Sequence, residues 1–229
     1  DTLPLTPDLG ILLCPPDEIP DYIDEFGKRG TKAVVVLSRG AFRSSHSRLK
    51  KRRMAMMDAA APHGVRVLGP NCLGYINPSV GLNASLAHRD ALPGRVAFIT
   101  QSDSLFTTVL DWATSKGIGF SHFISLGNRF DIHFGHVLDY LNSDPFTKAI
   151  LLYVETVVNA RAFMSAARAT ARNKPVLVMK AGLSREGAVA AATHAGAYLG
   201  ADDVYAAAFA RSGILRVHDI DTLFDSVET

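Results

Sequence analysis

Short, nearly continuous apolar runs alternate with segments of helical period along the whole chain, and this alternation limits the fold more than any other feature. The runs are 9–14 (LGILLC), 32–37 (KAVVVL), 65–68, 95–100 (RVAFIT), 120–126, 149–154 (AILLYV), 175–180 (PVLVMK) and 214–217. Helical segments are expected over 17–29, 47–63, 104–116, 134–142, 159–173, 202–211 and from 219 onward. A strand without polar alternation is covered on both faces, and strands alternating with helices pair in parallel through right-handed crossovers. The expected class is α/β, with two doubly wound parallel sheets. Leu92, Pro93 and Gly94 break the rhythm, so the boundary is expected there, giving units 1–93 and 94–229. The first unit is short by about one βαβ unit. Its first strand and glycine-rich phosphate turn are expected ahead of Asp1, and DTLPLTPD reads as a linker.

Composition narrows the class of partner. With 48% hydrophobic and 20% charged residues the chain can bury a core and is not a disordered segment. A formal net charge of +2 gives no general attraction to nucleic acid. The basic run 43–53 (RSSHSRLKKRR) reads as a solvated helix face, because no aromatic residue interleaves with it to stack on bases. No nucleic-acid partner is therefore expected. Cys14 and Cys72 form neither a CxxC pair nor a disulfide framework, and with no signal-like start they suggest a reducing cytoplasm. No apolar run reaches the ~18 residues of a membrane helix, so no membrane partner is expected. His133 and His136 lie three apart but lack a third ligand, and no metal site is expected.

In open parallel sheets ligands bind beyond the carboxyl ends of the strands. In the first unit these ends are Cys14-Pro15-Pro16, Ser38-Arg39-Gly40 and the GPNCLG turn holding Asn71 and Cys72. Each is also ordinary turn chemistry. In the second unit, Gln101-Ser102-Asp103-Ser104 lies where a strand feeds directly into a helix. The free N–H groups there suit an anion, and Ser102 or Asp103 could equally serve as the helix cap. Glu155 follows an apolar strand, and His194 lies in the small-residue segment GLSREGAVAAATHAGAYLG together with Gly196.

Taken together, GPNCLG, QSDS, the Glu155 strand and THAGA resemble the CoA-binding and CoA-ligase portions of NDP-forming acyl-CoA synthetases, relatives of the succinyl-CoA synthetase α subunit. The stretches LPLTPDL, VLDWATSKGIGFSHFISLGN, ILLYVET, RNKPVLVMKAG and ILRVHDIDTLFDSVET are closer still to the synthetase-like front part of GNAT-fused bacterial protein lysine acetyltransferases. The resemblance implies a Rossmann-like CoA-binding unit and a flavodoxin-like ligase unit. It implies that His194 is phosphorylated in turnover, that Glu155 orients it, and that Gln101, Ser102, Asp103, Ser104 and Gly196 receive the phosphate. Coenzyme A or acyl-CoA would be held by Cys14, Pro15, Pro16, Ser38, Arg39, Gly40, Asn71 and Cys72. ATP or ADP with Mg would be handled by an ATP-grasp domain or subunit outside this chain. The rival implication is a regulatory module that senses CoA or acyl-CoA for a GNAT domain without turnover. Homo-oligomerisation stays open. Asp103 stands where the synthetases usually carry a small residue, so its carboxylate is expected to compete with a phosphate for the helix-start amides.

Overall fold

The computed structural model describes residues 4–38, 46–182 and 202–226. Strands β1 (Leu9–Leu12), β2 (Ala33–Val36) and β3 (Arg66–Leu68) form a parallel three-stranded sheet in the order β1-β2-β3. Helices α1 (Ile19–Lys28) and α2 (His46–Ala60) connect them. Helix α1 begins with a proline in its first turn and buries Ile19, Ile23 and Gly27, one face at a spacing of four. The expected helix over 47–63 stops at Ala60, and residues 61–63 turn as a 3-10 segment. Pro62 has no N–H to continue the α-helical ladder.

The second sheet has seven strands in the order β10-β9-β8-β6-β7-β4-β5. Its parallel body is β6 (Pro93–Thr100), β7 (Phe120–Ser125), β8 (Ala149–Val154), β9 (Val176–Lys180) and β10 (Leu215–Val217). Between them run α3 (Asp103–Lys116), α4 (Phe134–Ser143), α5 (Ala160–Ala171) and α6 (Asp202–Ser212), and α7 (Ile220–Asp225) follows β10. One element was not expected. Strands β4 (Gly74–Asn77) and β5 (Leu82–Ser85) form a hairpin that pairs antiparallel with the edge of β7. The chain thus leaves the first sheet after β3 and joins the second before Pro93.

Apolar cores cover both faces of the larger sheet. On one, Phe98, Phe106, Phe120, Phe123 and Phe224 pack edge-to-face or tilted at 4.5–6.3 Å between ring centres, with Trp112 against Phe224. On the other, Ile124, Leu126, Phe134, Leu138 and Phe163 share one continuous cluster with Val35, Leu37, Leu68 and Cys72 of the smaller sheet. Apolar burial therefore joins the two sheets, and it sets their strand ends side by side.

Candidate active site at the strand ends

The first sheet's strand ends are tied to one another through Ser38. Its buried hydroxyl accepts from the Cys14 N–H at 3.0 Å and donates to the Cys14 carbonyl at 2.7 Å. The Ser38 carbonyl accepts from the Asn71 N–H at 3.1 Å. Cys14, half-buried and free, has its thiol pKa raised by burial and by the nearby Glu18 carboxylate. Pro15 accepts at its carbonyl from the Glu18 N–H at 3.0 Å, which turns the chain into α1. Cys72 is fully buried and donates weakly to the Val36 carbonyl at 3.5 Å. Its thiol therefore supports the turn from inside and presents nothing to a ligand. Arg39, Gly40, His194 and Gly196 lie outside the described residues.

The Asn71 turn leans on the end of β7. Asn71 adopts φ 56°, a left-handed conformation that asparagine tolerates better than most residues. Its side-chain amide donates to the Asn128 side-chain carbonyl at 3.4 Å, and Asn128 N–H donates to the Pro70 carbonyl at 2.8 Å. Leu73 N–H donates to the Ser125 hydroxyl at 3.0 Å, and that hydroxyl donates to Asp103 Oδ1 at 3.3 Å. A hydrogen-bonded path thus runs from the Cys14 and Asn71 turns to the first residue of α3.

At that helix start the cap is Ser102. Its hydroxyl accepts from Leu105 N–H at 3.3 Å, while Thr100 holds the preceding turn through its own hydroxyl. Asp103 does not cap the helix and turns to Ser125. Ser104 is exposed. Gln101 is 8% exposed, and its side-chain carbonyl accepts from Glu155 N–H at 2.6 Å and Thr156 N–H at 3.0 Å. Its amide nitrogen is buried without a hydrogen-bond partner. The α3 start and the Glu155 loop are therefore one unit, fastened by Gln101.

Three residues that the sequence analysis passed over complete the surroundings. Arg129 follows β7 in a left-handed conformation, φ 54°, and donates through Nη1 to the Thr156 carbonyl at 2.6 Å and the Thr156 hydroxyl at 2.9 Å. Burial pushes its pKa down to about 10, against the pull of Glu155 and Tyr205. Lys180 ends β9 level with Val154, is 3% exposed, and donates to the Ala181 carbonyl at 2.7 Å. Its ammonium lies 4.8 Å from the centre of the Tyr205 ring, and the Tyr205 hydroxyl accepts from Val157 N–H at 3.2 Å. Burial lowers the Lys180 pKa, with Asp202 raising it, Arg216 lowering it and Glu155 raising it. The strand-end rule that drew attention to Glu155 applied equally to Lys180 and to the Gly127-Asn128-Arg129 turn.

The other polar residues stand apart from this edge. Arg52 of the basic run pairs with Asp17 at 3.2 Å, and Arg53 donates to the Phe130 carbonyl at 3.1 Å, so part of the run braces α2. His133 caps α4 and stacks on His136 at 3.9 Å. No cluster of three metal-ligating side chains occurs among the described residues. No helix among them is long and apolar enough to cross a membrane.

Comparison with known proteins agrees with this arrangement. Residues 93–229 match the family described as succinyl-CoA ligase like flavodoxin domain, and residues 1–78 match a CoA binding domain. The chain is 38% identical over 223 residues to acetate–CoA ligase [ADP-forming] I of Archaeoglobus fulgidus, covering 97% of this chain and 32% of that protein. It is 38% identical over 218 residues to the acetate–CoA ligase [ADP-forming] I subunit alpha of Pyrococcus furiosus, covering 95% and 47% respectively. The solved structure of the dinucleotide forming acetyl-coenzyme A synthetase 1 of Ca. Korarchaeum cryptofilum, in complex with phosphate and ADP, superposes with a TM-score of 0.90 at 34% identity. That match covers 98% of this chain and 48% of the other. The chain spans a third to a half of the length of these relatives. With the parallel body of its larger sheet and more than half of its length matched, the chain belongs to the succinyl-CoA ligase-like flavodoxin domain family.

Proposed function

We propose that this chain is the CoA-binding and CoA-ligase part of an ADP-forming acyl-CoA synthetase, with acetyl-CoA the acyl-CoA that its relatives' names favour. In this reading the units 1–93 and 94–229 divide the work. The strand ends at Cys14, Pro15, Pro16, Ser38, Arg39, Gly40 and Asn71 face CoA, while the buried Cys72 holds the Asn71 turn from inside. His194 carries the phosphoryl group, Glu155 accepts from its second ring nitrogen, and Gly196 leaves room for close approach. The helix start Gln101–Ser104 receives the phosphate through N–H groups and the helix dipole. ATP or ADP with Mg is handled by an ATP-grasp domain or subunit, and the reaction takes place in the cytoplasm.

The observation that carries this reading is the hydrogen-bonded path between the two kinds of strand end. It runs from Cys14 through Ser38 and Asn71, and from Leu73 through Ser125 to Asp103, with Gln101 fastening Glu155 beside it. An acyl phosphate formed at one end would lie near a thiol held at the other, as thioester formation requires. The experiment is phosphorylation of the full-length protein, with its ATP-grasp part, by labelled ATP and Mg. Acid-labile label is expected, and His194→Ala is expected to lose it. An intact protein that takes up no label would overturn the proposal.

Within the family, the stretches LPLTPDL and ILRVHDIDTLFDSVET favour a relation to the synthetase-like region of GNAT-fused lysine acetyltransferases. The gene sequence beyond Thr229 tests this directly. An acetyltransferase segment is the expected finding, and its absence from the full gene would remove the idea.

A further inference from the structure

The basic run of α2 stands apart from the α3 start, but not from the strand ends of the first sheet. Arg52 pairs at 3.2 Å with Asp17, which directly follows the Cys14-Pro15-Pro16 strand end. Arg53 donates to the Phe130 carbonyl at 3.1 Å, and Phe130 N–H is fixed to the carbonyl of Gly69, in the turn after β3. These two contacts set the height of α2 against the sheet, with the side chains of 52 and 53 reaching the carboxyl ends of β1 and β3. The helix starts on the strand-end side, since it runs back from β2 to β3, and helical side chains lean toward the helix start. Arg48 lies four residues before Arg52 on the same face, about 6 Å nearer that start. Its guanidinium is thus carried past Asp17, above the strand ends. Lys51, three residues after Arg48, shares the face. Both side chains are exposed, and neither forms an ion pair with a described residue. Cations in the first two turns are opposed by the helix dipole, and no acidic residue in the first turn balances them. Asp58, the one acid of α2, lies in its last turn at the opposite edge. A face that only kept the helix in solution would do so better with mixed charges.

We infer that Arg48 and Lys51 form a phosphate site at the strand-end edge of the first sheet, holding the phosphates at the nucleotide end of CoA. This rests on the reading above that these strand ends take CoA, and residues 1–78, which include α2, match a CoA binding domain. The charges on the two sides of the edge give the ligand a direction. Cations stand on the α2 side, where the Asp17 charge is already balanced by Arg52. On the far side the first side chain of α3 is the Asp103 carboxylate, which repels a nucleotide's phosphates. The uncharged pantetheine arm is left to cross the turns at Cys14, Ser38 and Asn71, with its thiol toward α3. An arginine and a lysine one turn apart suit this role, because the guanidinium grips a phosphate through two N–H groups and the ammonium adds a point charge.

The test measures binding of CoA, dephospho-CoA, pantetheine and ADP by calorimetry to the full-length protein with its ATP-grasp part. The proteins compared are the wild type, Arg48→Gln, Lys51→Gln and the double variant. The double variant is expected to bind CoA about tenfold more weakly, and each single variant about threefold more weakly. The loss should be smaller for dephospho-CoA, which lacks the 3′-phosphate, and absent for pantetheine, which has no phosphate. Lys116→Gln makes the same charge change in the last turn of α3, at the opposite edge of the molecule, and should bind all four ligands as the wild type does. A wild type that binds no CoA would sink the reading of the function, and this inference with it. A wild type that binds CoA no better than the double variant does would sink this inference alone. So would an equal loss for pantetheine, which would mean a reshaped edge, or an equal loss for ADP, which would assign the cations to another nucleotide. Should the double variant melt below the wild type, the single variants carry the test, with the same expected order of CoA, dephospho-CoA and pantetheine.

Discussion

Asp103 occupies the first turn of α3, where a carboxylate is favoured by the helix dipole and an approaching phosphate is favoured by the same dipole. The structure moderates the expected competition without removing it. Ser102 provides the cap, and Asp103 turns one oxygen to the Ser125 hydroxyl, so the carboxylate does not occupy the helix-start amides as a cap would. Its charge remains at the helix start. Two like charges about 5 Å apart repel by ~3 kcal/mol at an effective dielectric of about 20, and partial exposure of Asp103 reduces this by screening. Asp103→Gly is therefore expected to bind phosphate or sulfate about tenfold more tightly by calorimetry, and Asp103→Asn to bind more tightly by a smaller factor because it keeps the side-chain volume. Equal affinities in all three proteins would show that Asp103 does not face the anion. At this scale the sequence made Glu155 and Gln101 visible, because each directly follows an apolar run. It did not make Arg129 visible, since GNRFD carries no motif and its direction depends on how residues 126–132 lean on the Gly69-Pro70-Asn71 turn.

Elements were readable from the sequence wherever burial on both sheet faces produced an unbroken apolar run, and β2, β6, β8 and β9 follow their runs within a few residues. The β4–β5 hairpin was not. GYIN and LNAS are four residues each, the first opening on glycine and ending on asparagine and the second carrying asparagine and serine at alternate positions, and such short strands look like loop until a partner supplies the missing edge. That partner is β7, far along the chain, against which Tyr75 and Ile76 register. The start of β6 shows a second constraint that composition concealed. Its register with β7 shifts between Pro93 and Val96, and there Gly94 and Gly119 meet backbone to backbone. A β-carbon on Gly119 would overlap the Pro93 carbonyl oxygen, which cannot rotate away as a side chain could. Gly119→Ala is expected to destabilise the protein by about 1–3 kcal/mol, seen as a lower midpoint in urea with an unchanged slope. A midpoint equal to the wild type would mean that this crossing relaxes freely.

Across the whole molecule, the hairpin, the centre of the large sheet and the connection after α4 meet at one buried histidine. His122 on β7 is 3% exposed, with Nδ1 at 2.8 Å from the Tyr75 hydroxyl and Nε2 at 3.2 Å from Asp144. Asp144 in turn accepts from Thr147 N–H at 3.0 Å and from Phe146 N–H at 3.2 Å. Burial raises the pKa of the Tyr75 phenol to about 12, so it remains neutral at any physiological pH. Burial also lowers the His122 pKa, and the Asp144 charge opposes this without cancelling it. A histidine held neutral by its fold gives stability that is complete above its unfolded pKa of ~6.5 and is lost as pH falls below that value, because the unfolded chain then binds a proton that the folded chain refuses. His133, half-buried and lowered by burial and by His136, acts in the same direction. The carboxylate side of the site answers later in an acid titration. Burial works to raise the Asp144 pKa, but its hydrogen bonds from Thr147, Phe146 and His122 hold it below the usual carboxylate value, so its contribution is lost only as pH falls below ~4. The melting temperature is therefore expected to decline in two stages, one beginning near pH 6.5 and one below pH 4. His122→Gln, which keeps a donor and an acceptor between Tyr75 and Asp144, should melt lower at pH 8 and show a flatter decline from pH 6.5 to 5. A variant that declines as steeply as the wild type over that range would assign the first stage to other groups and reduce His122 to a packing residue.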